Sequence, residues 1–190
     1  MGVNMYSEER TAQMAAYFLS KKGLQMAYIK LLKLLYLADR AALLKWGESL
    51  TGDCFVSMPQ DSVLSQTYDL IKGASFSSTD GWDYWVRDEK NYEVSLKQEN
   101  VNRDSFDELS DAELEILDGV LLEFGNMKNF DIVKYTHDHC AEWENPNGSS
   151  YPIKPETIFR TLGKNEDVVN GLVHHNNTQH QLDSVINQLR

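Results

Sequence analysis

The best candidates for a metal or catalytic site are His137, His139 and Cys140, because imidazole and thiolate are the usual ligands of zinc. Residues two or three apart on one helix do not face together as well as residues four apart. No further Cys or His pair at zinc-finger spacing supplies the remaining ligands. We therefore expect these side chains to cap or pack a helix, with no metal and no cofactor bound. A small metal-dependent enzyme built on them is kept as one alternative.

No catalytic centre is indicated elsewhere in the chain. No serine lies in a Gly-x-Ser-x-Gly elbow, no glycine-rich loop could hold a phosphate, and no paired-His metalloprotease helix is present. The acids around Asp80 and Asp83 lack the alternating oxygen ligands and the final Glu of a calcium loop. We expect a protein that is not an enzyme.

Two segments of alternating apolar residues, from Trp82 to Val86 and from Tyr92 to Leu96, predict a β-hairpin. A lone hairpin is marginally stable, so we expect it to pack on helices or to pair with another strand, such as one near Phe55. One face can join the core while the other stays exposed, and exposed aromatics often anchor protein interfaces. The alternative is that helices cover both faces. The aromatic residues predicted to bind a partner are Trp82, Tyr84, Trp85 and Tyr92.

Charge is distributed unevenly along the chain of 190 residues, whose formal net charge is -11. Residues 1–50 carry +3 and the rest carry -14, and residues 104–123 hold eight acids and no base. Such a stretch would repel a phosphate backbone, so we do not expect nucleic-acid binding. The alternative reading of the stretch is a solvated helix face with a charged first turn. The acids predicted to bind a partner are Asp107, Glu108 and Asp111.

Helical patterns flank these candidates. Ser7, followed by two acids, predicts the start of a first helix that ends at Gly23. From about Met26 to Trp46 the chain is apolar around nearly the whole circumference of a helix, which predicts burial on most sides. Its cationic residues share one narrow stripe, predicted to reach solvent or an anionic partner. The stripe consists of Lys30, Lys33 and Arg40.

Capping and turn residues predict further helices. Together with the hairpin they indicate a mainly α fold with a small antiparallel β-sheet, in which a helical core surrounds a buried central helix. The predicted helix starts are Asp61 or Ser62 for a helix ending at Gly73, the capping box of Ser110 and Glu113, Asp131, Pro155 in a first turn, and about Glu166 for the last helix.

We expect neither a membrane span nor a secretory signal in this chain. The longest unbroken apolar run, Leu34 to Ala38, is far too short to cross a bilayer, and the first residues do not form a secretory signal. Cys54 and Cys140 are too few for a disulfide scaffold. We expect a cytoplasmic protein with reduced thiols and no membrane partner.

The segment from Ala15 to Gly73 resembles the Panacea domain of SocA-like antitoxins, through AAYFLSKKG, KLLKLLYLADRAALLKWGESLTGD and FVSMPQDSVLSQTYDLIKG. A second block, LSDAELEILDGVLLEFG followed by FDIVKYTHDHCAEW, is similar to the C-terminal pattern of that family. The resemblance covers residues 10–146 of an expected single domain, 1–190, and leaves 147–190 as a C-terminal helical extension. The residues that match the family motif are Lys30, Lys33, Tyr36, Gly47, Val63, Tyr68, Thr136, His137 and Trp143.

The resemblance implies a mostly helical cytoplasmic antitoxin that neutralises a cognate toxin, encoded by the adjacent gene, by direct binding. It also implies that some members hand their partner to a protease. The acidic charge and the aromatics predicted to be exposed suit a basic partner, since opposite fields speed association and fix orientation. The alternatives are a proteolytic adaptor and a phage-encoded factor that binds a host protein.

Overall fold

A computed structural model describes residues 5–59 and 61–188, with side chains up to residue 178, and contains eight α-helices and two three-stranded antiparallel sheets in these ranges. This architecture confirms the predicted fold class, although one sheet was expected and two are present. The helices are α1 (Glu8–Lys21), α2 (Tyr28–Trp46), α3 (Ser65–Ile71), α4 (Trp82–Trp85), α5 (Asp111–Phe124), α6 (Asn129–His139), α7 (Pro155–Thr161) and α8 (Glu166–Gln188). The strands are β1 (Gln25–Ala27), β2 (Phe55–Ser57), β3 (Ser62–Leu64), β4 (Val86–Glu89), β5 (Glu93–Leu96) and β6 (Tyr151–Pro152).

Helix α2 forms the centre of the core and contacts α1, α5, α6 and α7. Leu31, Leu32, Leu34 and Leu35 are all fully buried, which confirms the predicted central helix. It begins at Tyr28 and not near Met26, because the three preceding residues pair as β1 with β5. Packing on every side explains why its apolar residues occupy the whole circumference.

The prediction that Lys30, Lys33 and Arg40 reach solvent or an anionic partner is wrong for Lys33 and holds only in part for the other two. Lys33 is fully buried, and Lys30 and Arg40 are only partly exposed. The three do share one side of the helix, but α6 and neighbouring loops cover that side. Their charges are satisfied by buried carboxylates and by backbone carbonyls within the protein, as described below.

The predicted hairpin is confirmed in β4 and β5, which pair from Val86 with Leu96 to Glu89 with Glu93. Its third strand is β1, so the first sheet has the order β1-β5-β4. The expectation that it pairs with the strand near Phe55 is wrong. That strand is β2, which pairs with β3 and β6 in a separate sheet.

The hairpin begins four residues later than the alternation predicts, because Trp82–Trp85 form the helical turn α4. The Glu8 carboxylate on α1 fixes this turn by accepting hydrogen bonds from the backbone N–H of Trp82 at 2.8 Å and from the Ser77 hydroxyl at 2.6 Å. Trp82 and Trp85 are only 4% and 6% exposed. Both tryptophans therefore belong to the core, and neither is one of the exposed aromatics that were expected on one face of the hairpin.

Helix caps were predicted with mixed success. The Ser110–Glu113 capping box of α5 and the Ser7 cap of α1 are confirmed. Helix α6 starts at Asn129, so Asp131 lies inside its first turn and is not its cap. The Asp53 carboxylate caps α3 by accepting hydrogen bonds from the backbone N–H groups of Gln66 and Thr67. The predicted caps, Asp61 and Ser62, are wrong, because Ser62 belongs to β3 and Asp61 is buried in the core.

Gly47 ends α2 with φ 80°, in the left-handed region where a side chain is strained. A Cβ at this position would also collide with Leu172 of α8. We expect Gly47→Ala to lower the free energy of unfolding by about 1–2 kcal/mol, measured by urea denaturation. The control is Gly119→Ala within α5, where a Cβ meets nothing within 4 Å and should raise the same free energy by about 0.5–1 kcal/mol. Equal effects of the two substitutions would contradict the assigned conformation of Gly47.

Candidate functional site

Lys33 and Asp61 form an ion pair in the centre of the protein. The Lys33 ammonium lies 2.6 Å from Asp61 Oδ2 and donates to the carbonyl oxygen of Ser62 at 2.5 Å. Burial lowers the pKa of the Lys33 amine, although the neighbouring Asp61 charge opposes this change. Asp61 also accepts a hydrogen bond from the backbone N–H of Ser62, and the Thr136 hydroxyl lies 3.3 Å from it. The pair thus joins α2 to the turn before β3 and to α6.

Glu142 is the centre of a second buried polar cluster. Its carboxylate accepts hydrogen bonds from the Tyr36 hydroxyl at 2.8 Å, from Arg40 Nε at 2.8 Å and from the Thr161 hydroxyl at 2.9 Å. Burial and the Glu142 charge raise the pKa of the Tyr36 phenol well above its usual value. The cluster joins α2 to the segment after α6 and to α7. We call Lys33, Tyr36, Arg40, Asp61, Thr136 and Glu142 the buried network.

Two acids in or near this region were not predicted to have a role. Glu142 lies in the second block that resembles the family, next to Trp143, but no periodic pattern there indicates that its side chain is buried. Asp39 is fully buried and accepts hydrogen bonds from the Ser49 hydroxyl at 2.9 Å and from the backbone N–H groups of Leu50 and Thr51 at 2.8 and 2.9 Å. Burial raises the pKa of Asp39 to about 6. A single acid among the apolar residues of α2 is a signal that could have identified it.

The remaining motif residues also serve the fold. Lys30 donates to two carbonyl oxygens of the α5–α6 turn at 2.9 and 2.6 Å. The indole N–H of Trp143 donates to the carbonyl oxygen of Met58 at 3.0 Å, and the Trp143 ring lies 4.7 Å from the ring of His137. Val63 is buried, Tyr68 packs against the core and Gly47 ends α2.

The side chains of His137, His139 and Cys140 have different neighbours. The His139 ring stacks on Tyr135 with 4.3 Å between centroids, whereas His137 lies against Trp143. Cys140 is buried in the core. In the ranges that the structure describes, no group of three or more His, Cys, Asp or Glu side chains is arranged to hold a metal ion.

The two thiols differ in environment and should differ in reactivity. Cys54 is exposed, whereas Cys140 is buried and burial, followed by the Glu142 charge, raises its pKa to about 12. We expect one thiol of the native protein to react promptly with a disulfide reagent, and the second to react about a hundredfold more slowly, through opening of the fold. Cys54→Ser should leave only the slow phase. Two thiols that react at the same rate would show that Cys140 is not in the core.

A surface groove of about 520 Å³ lies between α1 and residues 98–108. Its lining includes six carboxylates and neither Lys nor Arg. Within the described part of the chain, none of these carboxylates forms a salt bridge. Gln13 of α1 fixes one wall, since its amide donates to Asp107 at 2.7 Å and accepts from the Glu108 N–H at 3.0 Å. We call this the acidic groove, and its acids are Glu9, Asp80, Glu99, Asp104, Asp107 and Glu108.

The acidic groove brings together Tyr84, Trp85, Asp107 and Glu108, four of the seven residues predicted to bind a partner. Tyr84 is 43% exposed and packs edge-on against Trp85, which forms part of the floor. The other three lie elsewhere. Trp82 is in the core, Asp111 is held in an exposed ion pair by Arg103, and Tyr92 lies at the hairpin tip against Tyr28.

The Panacea domain of SocA-like antitoxins matches residues 31–144. Because this match spans more than half of the chain, the chain belongs to the SocA-like antitoxin family, and its general role is antitoxin-like. The resemblance predicted from the sequence is thereby confirmed. No curated protein and no solved structure gives a significant match. Among the described helices, none is long and apolar enough to span a membrane.

Proposed function

We propose that this protein neutralises a cognate protein toxin, encoded by the adjacent gene, by binding a basic surface of the toxin in the acidic groove. The observation that carries the proposal is the concentration, in one groove beside an exposed tyrosine, of six carboxylates that form no salt bridge among the described residues. Membership of an antitoxin family supplies the kind of partner. The protein acts as a binding inhibitor and not as an enzyme.

Electrostatics favours a cationic partner in this groove. The six carboxylates repel one another, and a cationic partner would relieve that repulsion on binding. Opposite charges across an interface also raise the association rate and fix the orientation of the complex. Tyr84 adds an amphipathic ring of the kind that often contributes most of the binding energy at interfaces.

The proposal is tested by co-expressing the protein with the product of the adjacent gene and measuring growth. We expect the neighbour alone to arrest growth, and the pair to grow normally and to co-purify. A harmless neighbour, or one that stays toxic in the presence of this protein, would overturn the proposal. Recovery of only a host protease or polymerase from the pull-down would instead favour an adaptor or host-binding factor.

The variant that tests the groove is Asp104→Lys combined with Glu108→Lys, because both side chains are exposed and neither has an ion-pair partner among the described residues. A matched control reverses two exposed acids outside the groove, Asp88 and Glu123. Only the groove variant should lose rescue. Trp85→Ala is unsuitable, because it would open the core, so Tyr84→Ala tests the aromatic contact.

A further inference from the structure

A second cavity of about 430 Å³ lies next to the acidic groove along α1. The same face of α1 supplies the floor of both, with Glu9 and Gln13 in the acidic groove and Tyr17 and Lys21 in the second cavity. Residues 98–108 form a wall of both cavities, and Val101 lines both. The two cavities therefore adjoin at Val101 and together follow α1 for roughly 20 Å at 1.5 Å of rise per residue, and we call the pair the whole groove.

The second cavity differs from the first in polarity and in charge. Its base is apolar, because Tyr17 and Phe106 are buried and meet edge to face at 5.4 Å between ring centroids. The charged residues that line it are Lys21 and Arg103, and no carboxylate lines it. The charge along the groove therefore changes from strongly negative at the N-terminal end of α1 to weakly positive at the C-terminal end.

Leu24 lies at the rim of the second cavity in an unusual state. It is 54% exposed and has φ 72°, a left-handed conformation that costs a residue with a Cβ about 1–2 kcal/mol. Backbone hydrogen bonds maintain it, since the Leu24 N–H donates to Leu19 and its carbonyl accepts from Leu96. Glycine would suit this backbone better. The leucine side chain instead adds an apolar wall to the cavity.

We propose that the whole groove binds one segment of the partner chain, which places Lys or Arg side chains in the acidic groove and a large apolar side chain in the cavity of Tyr17, Leu24 and Phe106. Charge complementarity favours the basic side chains of the segment in the acidic groove, and the apolar cavity favours its large apolar side chain. This proposal rests on the proposed function in that the segment belongs to the toxin. It adds that the toxin segment has a basic part next to an apolar anchor.

The probes are short synthetic peptides labelled with a fluorophore, and binding is measured by fluorescence anisotropy at low salt. One carries a run of Lys and Arg joined to Phe, and the matched peptide carries Ala in place of Phe. We expect the Phe peptide to bind about tenfold to a hundredfold more tightly, because burying one large apolar side chain favours binding to that extent. Equal affinity of the two peptides would overturn the proposal.

The matched protein variant is Leu24→Gly, which removes the apolar rim while suiting the backbone conformation. It should erase the difference between the peptides without lowering the midpoint of thermal unfolding. Asp104→Lys with Glu108→Lys should weaken both peptides. If Leu24→Gly still bound the Phe peptide more tightly than the Ala peptide, the proposal would be overturned. It would also be overturned if the wild-type protein self-associated and Leu24→Gly did not, because the occupant of the groove would then be a second copy of this chain.

The peptide result and the growth result can be separated. Growth rescue without any preference for the Phe peptide would overturn the bipartite segment while supporting toxin neutralisation. A clear preference for the Phe peptide that depends on Leu24, without growth rescue by the wild-type protein, would support the groove specificity and overturn the identity of the partner.

Discussion

Replacing Lys33 by Met is expected to lower the free energy of unfolding by about 3–5 kcal/mol, the usual cost of removing one partner of a buried ion pair. The remaining charge, Asp61, is only 5% exposed and would lose the cation that lies 2.6 Å away. The carbonyl oxygen of Ser62 would also lose a donor. The measurement is urea denaturation followed by tryptophan fluorescence and circular dichroism.

The control is the double variant Lys33→Met with Asp61→Asn. The amide keeps an oxygen that can accept from the Ser62 N–H, and the double variant contains no unpaired charge at this place. We expect it to recover a large part of the lost stability, since uncharged groups often replace a buried pair at little cost. If Lys33→Met were as stable as the wild type, Lys33 would have to reach solvent, which is what the stripe on α2 predicts.

The second large effect is expected for Glu142→Ala, which should lower the free energy of unfolding by about 3 kcal/mol. This substitution removes the shared acceptor of three donors, the Tyr36 hydroxyl, the Arg40 guanidinium and the Thr161 hydroxyl, of which Thr161 keeps the Ile158 carbonyl oxygen at 2.9 Å. Two of the three belong to α2, so the loss acts on the central helix. Chemical denaturation of the purified variant gives the measurement.

Glu144→Ala is the matched control, two residues away and exposed to solvent. It should change the free energy of unfolding by less than about 0.5 kcal/mol. Glu142→Gln should be intermediate, because its amide oxygen can still accept from Tyr36 while the charge that faces Arg40 is gone. Similar losses for the two alanine variants would contradict the central position of Glu142.

Local patterns predicted most of the helices. The capping box of Ser110 and Glu113 and the Ser7 cap depend on residues three apart, so one turn of chain contains all the needed information. The all-round apolar pattern of α2 likewise showed that it is the central helix. The hairpin was found from alternation, but its first strand was started too early, since Trp82–Trp85 can alternate and still form a helical turn. That turn depends on Glu8, more than seventy residues away along the chain.

The site could be predicted only in part, for the same reason. The acids at residues 107 and 108 and the aromatic at residue 84 were identified as partner-binding candidates by type. Their meeting in one groove depends on how α1 packs against residues 98–108, which no local pattern shows. The inward direction of Lys33 was missed because its counter-charge, Asp61, lies in another element. The side chains of a basic stripe on a buried helix can face solvent, a partner protein or an acid inside the protein, and only the tertiary structure distinguishes these cases.

We propose that the buried network stabilises the fold and that the groove binds the partner. The network lies inside residues 31–144, the part that matches the family, and holds α2, α6 and α7 together. The groove takes part of its floor from α1, which precedes that part, while Tyr84 and five of its six acids lie inside it. Substitutions in the network should therefore reduce stability, whereas charge reversals in the groove should reduce binding and leave stability almost unchanged. This separation makes the groove variants suitable for a binding experiment.

The measurement that tests the acidic groove as the toxin-binding site is a calorimetric titration of the purified protein with the product of the adjacent gene. The wild type should form a tight complex, Asp104→Lys with Glu108→Lys should bind at least about a hundredfold more weakly, and the control reversals at Asp88 and Glu123 should bind within about twofold of the wild type. Raising the salt concentration should weaken the wild-type complex. Equal weakening by both pairs of reversals, or by neither, would contradict the assignment of toxin binding to the groove.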